Sequence, residues 1–414
     1  MTRREAMALV GALALASACA ATRAPPAPAP ASGGEAPKQL RARQVIVALA
    51  GDDAARAASL KAALSHEYGL ALTGSFPLTS IGVECVVFEV APGRSLPEVV
   101  ARLARDPRVA LAEENQLFRG QAAPPEAGAG SLAYGAALIH ADRAQRTRTG
   151  RGIRVAVIDT GVSRSHPALR GRLAGSRSFV DGGDASFDED RHGTAIAGVI
   201  AAAGNARVGG IAPGAEVLAL KACWYAPGGD GTARCSSWTL AKALDFAIGA
   251  GAQVLNLSLS GPPDALLARL LARAHERGVL AVAAAAEEGD APGFPASLPT
   301  VLAVLATDDR GAVRLPAWAA TTPALAAPGV DILTTVPGGG WDFLSGSSLA
   351  AAHVSGVVAL LLEERPRLGA DEALALLRGT AQPGPARGQA PAQGVALVDA
   401  CAALAQLMAL PTCP

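Results

Sequence analysis

Val155-Ala156-Val157-Ile158-Asp159-Thr160-Gly161 is the stretch that decides the fold. Over 153–158 Arg154 is the one polar residue and the pattern does not alternate, so it predicts a strand buried on both faces. The acid and the Thr-Gly that follow mark where the chain leaves the core. Similar runs recur at 217–220, 254–259, 279–286 and 301–305, and helical stretches fall between them at 194–203, 239–249 and 264–277. Buried strands alternating with helices predict an α/β architecture with a doubly wound, mostly parallel sheet. In such a sheet functional residues gather at the carboxyl ends of strands, which is where Asp159 stands.

The chain is long enough for more than one domain, with 414 residues, 50% hydrophobic and 17% charged. Its formal net charge is zero, so nothing in the charge balance points to nucleic acid as a partner. With 46 glycines and 29 prolines it is punctuated too often for a helical bundle. Beyond the N-terminus the apolar runs 278–286 and 354–362 fall well short of the roughly 20 residues of a membrane span.

Arg3 and Arg4 precede an apolar stretch at 6–18 with small residues after it, the pattern of an export signal. Residues 1–20 are therefore expected to be a signal peptide and 21–43, rich in Pro and Ala, a spacer. Strand-like and helical stretches from residue 44 predict a small α+β module over 44–120, with a Ser95 helix cap and strands at 45–49, 83–90 and 109–112. Residues 121–130 read as an exposed linker open to cutting, and 131–414 as the large unit. Cys223 and Cys235 share a loop, as do Cys401 and Cys413, so local disulfides are expected in an oxidising compartment. Cys85, inside a strand-like run, is expected to be buried and free.

Three places carry chemistry. Asp159 ends a strand, His192 in Arg191-His192-Gly193-Thr194 starts a helix, and Ser348 in Ser345-Gly346-Ser347-Ser348-Leu349-Ala350 starts another. Singly, each has a structural explanation: a turn acid, a buried imidazole, a loop serine. In the order Asp, His, Ser they resemble the subtilisin-like serine proteases, the family cited for that order in general accounts of the triad. Asn256-Leu257-Ser258-Leu259-Ser260-Gly261 and Ala327-Pro328-Gly329 add to the resemblance.

The resemblance implies an exported endopeptidase with protein or peptide substrates, acting through an acyl-enzyme and expected to be a monomer with no required cofactor. Ser348 would attack the scissile carbonyl, His192 would take its proton and Asp159 would hold the imidazole. Ser258, Leu259 and Ser260 would pair with the substrate backbone, and Ala283, Ala284 and Ala285 would line the first specificity pocket. The module 44–120 resembles the family's ferredoxin-like inhibitory prodomain, which implies that its C-terminal end lies in the cleft as a product-like strand and makes the chain a self-processed zymogen with its own prodomain as partner. Ala16-Ser17-Ala18-Cys19 resembles a lipobox, which implies lipidation at Cys19; the other reading is an ordinary cleaved signal. Subtilases often bind calcium, and Asp181, Asp184, Asp188, Glu189 and Asp190 form an acidic stretch. Ala168 stands where the family has a ligand Asp, so a solvated loop is the favoured reading.

One departure bears on activity. Subtilases place an Asn that donates to the oxyanion where this chain has Glu287, leaving Ser348 as the matching oxyanion donor. Losing that donor costs about 3 kcal/mol. A carboxylate about 4 Å from the oxyanion adds roughly 4 kcal/mol of repulsion at an effective dielectric of about 20. A charged, inward Glu287 would thus slow the reaction by about five orders of magnitude. Glu287 turned to solvent, or protonated as a donor, would avoid this. The alternative function is a catalytically impaired subtilase-fold protein that binds peptides.

Overall fold

The computed structural model describes residues 43–50, 54–121, 134–182, 184–204, 208–226, 231–382 and 395–413. The proposed signal, most of the spacer and residues 122–130 of the linker lie outside them.

The front module runs β1 (Gln44–Ala50), α1 (Ala54–Tyr68), β2 (Ala71–Leu78), β3 (Val83–Glu89), α2 (Leu96–Leu103) and β4 (Val109–Glu114). Its strands form an antiparallel sheet in the order β2-β3-β1-β4. Ser95 caps α2 as expected, accepting from the Glu98 N–H. β1 is apolar throughout because both of its faces are buried. Val45, Val47 and Leu49 pack with Leu64, Val99 and Leu103 of the module's own helices. Ile46 and Ala48 join a second core that continues into the large unit. Strand β2, which the hydrophobic pattern did not reveal, is an edge strand holding Gly74 and Pro77.

The chain then forms β5 (Leu117–Gly120) and enters the large unit with α3 (Tyr134–Leu138), α4 (Ala141–Ala144), β6 (Arg154–Asp159), β7 (Leu173–Ser178), α5 (Arg191–Ala201) and β8 (Glu216–Lys221). A hairpin, β9 (Cys223–Tyr225) and β10 (Ala233–Ser236), leads to α6 (Ser237–Gly249), β11 (Val254–Leu257), β12 (Leu259–Ser260), α7 (Ala265–Glu276), β13 (Leu280–Ala284), β14 (Val301–Thr307) and β15 (Ala324–Pro328). After β16 (Ile332–Val336) and β17 (Gly340–Leu344) come α8 (Ser347–Glu364), α9 (Ala370–Thr380), β18 (Val395–Leu397) and α10 (Ala400–Leu407).

Eight strands make a parallel sheet in the order β18-β15-β14-β13-β11-β6-β8-β7. Val155 and Val157 of β6 face a core with α5 and α8, while Ala156 and Ile158 face one with α6 and α7. This is the doubly wound sheet expected from the unbroken apolar runs. The winding reverses at β6, so the carboxyl end of that strand, Asp159, lies at the switch point where such sheets bind ligands. Helix α8 is long and apolar enough to cross a membrane, but it is almost wholly buried as the central core helix.

Candidate active site

One strand end and two helix starts converge at this end of the sheet. Asp159 closes β6, His192 is the second residue of α5, and Ser348 is the second residue of α8. All three are buried. His192 Nδ1 lies 2.7 Å from Asp159 Oδ1. An ionised carboxylate only accepts, so Nδ1 carries the proton and a neutral imidazole keeps its lone pair on Nε2. That Nε2 is buried and has no hydrogen-bond partner among the described residues. Burial pushes the imidazole pKa down, but the charge and hydrogen bond of Asp159 outweigh it and leave a net rise above the ordinary value.

Ser348 begins α8 because Gly346 ahead of it adopts φ 132°, a conformation that favours glycine. Its hydroxyl donates to the Ser258 carbonyl at 3.2 Å. A buried network holds the α8 start in register with β11: Ser355 Oγ donates to Asn256 Oδ1, Asn256 Nδ2 to Ser258 Oγ, and Ser258 Oγ to the Ser348 carbonyl, at 2.9, 2.9 and 3.1 Å.

The cleft is filled by the chain itself. β5 lies between β12 and β10 as an antiparallel strand, pairing Gly120 with Leu259 and Arg119 with both Ser260 and Arg234. The Gln121 N–H donates to the Ser258 carbonyl, and the Gln121 carbonyl accepts from the Ser348 N–H, both at 3.2 Å. A Cβ placed on Gly120 would sit 3.9 Å from His192 Cε1. One dipeptide thus abuts both the imidazole and the serine. Ser258, Leu259 and Ser260 pair with an added strand as expected, though the strand is the chain's own. Gln121 is not part of an exposed linker but seated in the cleft, continuing the strand that the resemblance placed there. Three residues earlier Phe118 is fully buried, with its ring centroid 6.1 Å from that of Phe294. Gly261 makes room for it, since a Cβ there would lie 2.3 Å from Phe118 Cδ1.

Ala283, Ala284 and Ala285 are buried at the carboxyl end of β13. Glu287 reaches the start of α8, where its Oε1 accepts from the Ser347 N–H at 2.8 Å. It therefore turns inward to the nucleophile's helix, one residue before the N–H that holds the Gln121 carbonyl. Cys223–Cys235 and Cys401–Cys413 are disulfides, and Cys85 is free and buried.

Two carboxylates of the acidic stretch are already engaged within the protein. Asp188 is paired with Arg164, and Asp190 with the buried Lys221 and the Gly161 N–H. Among the described residues no three His, Cys, Asp or Glu side chains gather as metal ligands would.

An Asp-held imidazole, a serine at a helix start and an occupied strand-binding cleft define a serine endopeptidase. A profile of the subtilase family matches residues 150–396. M-protease of Shouchella clausii is 37% identical over 286 residues, 67% of this chain and 71% of that protein. Subtilisin Savinase of Lederbergia lenta is 38% identical over 240 residues, 57% of this chain and 86% of that protein. Fervidolysin from Fervidobacterium pennivorans, described as a keratinolytic enzyme related to subtilisin, shares the fold with TM-score 0.66 and 22% identity, over 87% of this chain and 60% of its own. The chain belongs to the subtilase family.

Proposed function

We infer that the chain is an exported serine endopeptidase made as a zymogen, whose module 44–120 inhibits the cleft and whose bond after Gln121 is its first substrate. The observation that carries this reading is the seating of Gln121, with its carbonyl on the Ser348 N–H and its neighbour Gly120 against His192. In the reaction Ser348 Oγ adds to a peptide carbonyl as Nε2 of His192 takes its proton. The imidazolium, stabilised by Asp159, returns that proton to the leaving amine. The Ser348 N–H and the positive end of α8 face the oxyanion. Water then releases the acyl group by the same steps. Subtilisin-type relatives and two disulfides support an oxidising, external compartment; anchoring through Cys19 belongs to the same proposal.

A fluorophosphonate should label Ser348 in the matured protein with one adduct per chain, read by mass spectrometry. An unlabelled serine would favour the second reading, a peptide-binding subtilase silenced by Glu287, for which the inward carboxylate speaks.

The grip of the front module should depend on pH. Glu113 of β4 accepts from the N–H groups of Ala265 and Leu266 at 3.0 and 3.2 Å. The N-cap of the same helix is Asp264, buried, whose Oδ1 accepts from the Leu267 N–H. Burial, and then the Asp264 charge, push the Glu113 carboxyl up to about 8; burial raises Asp264 as well. The docked state therefore favours a proton that free Glu113, with a pKa near 4.3, releases above about pH 5. Docking is strongest in acid and is lost as pH rises through the raised pKa, by up to tenfold per unit. Release of the cleaved module, followed by size exclusion, should quicken about tenfold or more between pH 6 and 8. Glu113→Gln should flatten that dependence.

A further inference from the structure

The three reacting groups leave Tyr225 unexplained. His192 is the second residue of α5, so its N–H is among the first donors of the helix, which have no partner inside it. An N-cap side chain ordinarily accepts from such a donor. Asp190, the N-cap, does not; its carboxylate is committed to Lys221 and to the Gly161 N–H. The partner comes instead from a different strand: the His192 N–H donates to Tyr225 Oη at 3.1 Å. The next donor, the Gly193 N–H, goes to Thr160 Oγ1 at 2.9 Å. Two hydroxyls from outside α5 thus hold the turn of backbone from which the imidazole projects. Burial raises the Tyr225 phenol well above its ordinary pKa, so it stays neutral as an acceptor.

Tyr225 ends β9, and Cys223 two residues earlier is bonded to Cys235 on β10. β10 is also the strand that pairs with Phe118 and Arg119 of β5. The wall of the peptide cleft and the strand that holds the His192 backbone are therefore one clasped hairpin.

We propose that Tyr225 is a positioning residue for the base, acting through the His192 backbone, and that the Cys223–Cys235 disulfide fixes it to the cleft wall. The proposal rests on the reading of His192 as the base. When the hydroxyl is removed, the start of α5 loosens and the 2.7 Å bond from His192 Nδ1 to Asp159 weakens. That bond and its charge hold the imidazole pKa up against burial, so weakening them lowers it.

The test is Tyr225→Phe in the matured enzyme. Its kcat should fall about tenfold with KM within about twofold, the pattern of a contact that matters in the transition state. The acid limb of kcat against pH should move about half a unit or more to lower pH, while the thermal midpoint stays near wild type. An unchanged kcat and acid limb would overturn the proposal. A second measurement needs no turnover: in the Ser348→Ala chain, the low-field Nδ1 proton resonance of His192 should shift when Tyr225 becomes Phe, and an unmoved resonance would also overturn it. An inactive wild type would sink the hydrolase reading while leaving this resonance to decide the role of Tyr225. The double variant Cys223→Ala, Cys235→Ala should lower kcat in the same direction and raise KM several-fold, because β10 borders the cleft. Wild-type values of both would remove the disulfide from the proposal.

Discussion

The wild-type chain is expected to divide after Gln121, and the Ser348→Ala chain to stay whole. Removing a serine nucleophile from this kind of constellation costs about 10⁶ in rate, so a division complete within minutes would need years in the variant. The strand that must be cut is already paired on both edges, by β10 and β12, and its carbonyl rests on the Ser348 N–H at 3.2 Å. Such placement makes the step unimolecular, and its half-time should not change on tenfold dilution. The checks are the N-terminal residue of the large fragment by mass spectrometry and the rate at two concentrations. A cut anywhere but after Gln121, or a rate that falls with dilution, would mean that the docked strand is not the substrate. After division the same strand remains as a product, with a carboxylate on Gln121 in place of the amide, and the large area buried by β1, β3 and β5 keeps it there until the acid pair at Glu113 and Asp264 ionises.

The sheet was legible because burial on both faces leaves an unmistakable mark: strands such as Val155 to Ile158 show no polar alternation. Asp159, His192 and Ser348 were legible because each ends or begins such an element with short-range signals around it. What escaped was non-local. The resemblance placed the end of the front module in the cleft, but no local pattern marked β5, which is four residues long and takes its form from Leu259 and Arg234, far along the chain. Tyr225 escaped because its partner is a backbone N–H, which no residue type announces. Glu113 gave no local signal, since its partners are the Ala265 and Leu266 N–H groups at the start of α7, far along the chain. The direction of Glu287 was open for the same reason: the Ser347 N–H that attracts it belongs to the start of α8, 60 residues on. A charged inward carboxylate, a solvent-facing one and a protonated donor were all open from sequence; the side chain turns inward and accepts at the helix start.

Glu287→Asn should raise kcat by at least about tenfold, and by up to about five orders of magnitude where the donor, about 3 kcal/mol, and the removed repulsion, roughly 4 kcal/mol, are both recovered in full. Ionised Glu287 offers the oxyanion no proton and places a negative charge one residue from the N–H that must stabilise it. An Asn replaces that charge with a donor of the kind the family resemblance implies. The oxyanion exists only after Ser348 has attacked, so the gain belongs in kcat, with KM nearly unchanged. Glu287→Gln separates the two contributions. Its carbonyl oxygen can keep the Ser347 contact while the charge is gone, so it should recover the repulsion part alone and fall between wild type and Asn. Acid does not substitute for the mutation. The His192 pKa is raised, so in acid the imidazole gains a proton and the rate falls tenfold per unit below that pKa. Both enzymes should therefore lose activity in acid on the same limb, with the Asn enzyme higher by a constant factor above it. Equal kcat values in the two enzymes near pH 8 would show that the carboxylate at the start of α8 anchors the helix and does not act on the reacting carbonyl.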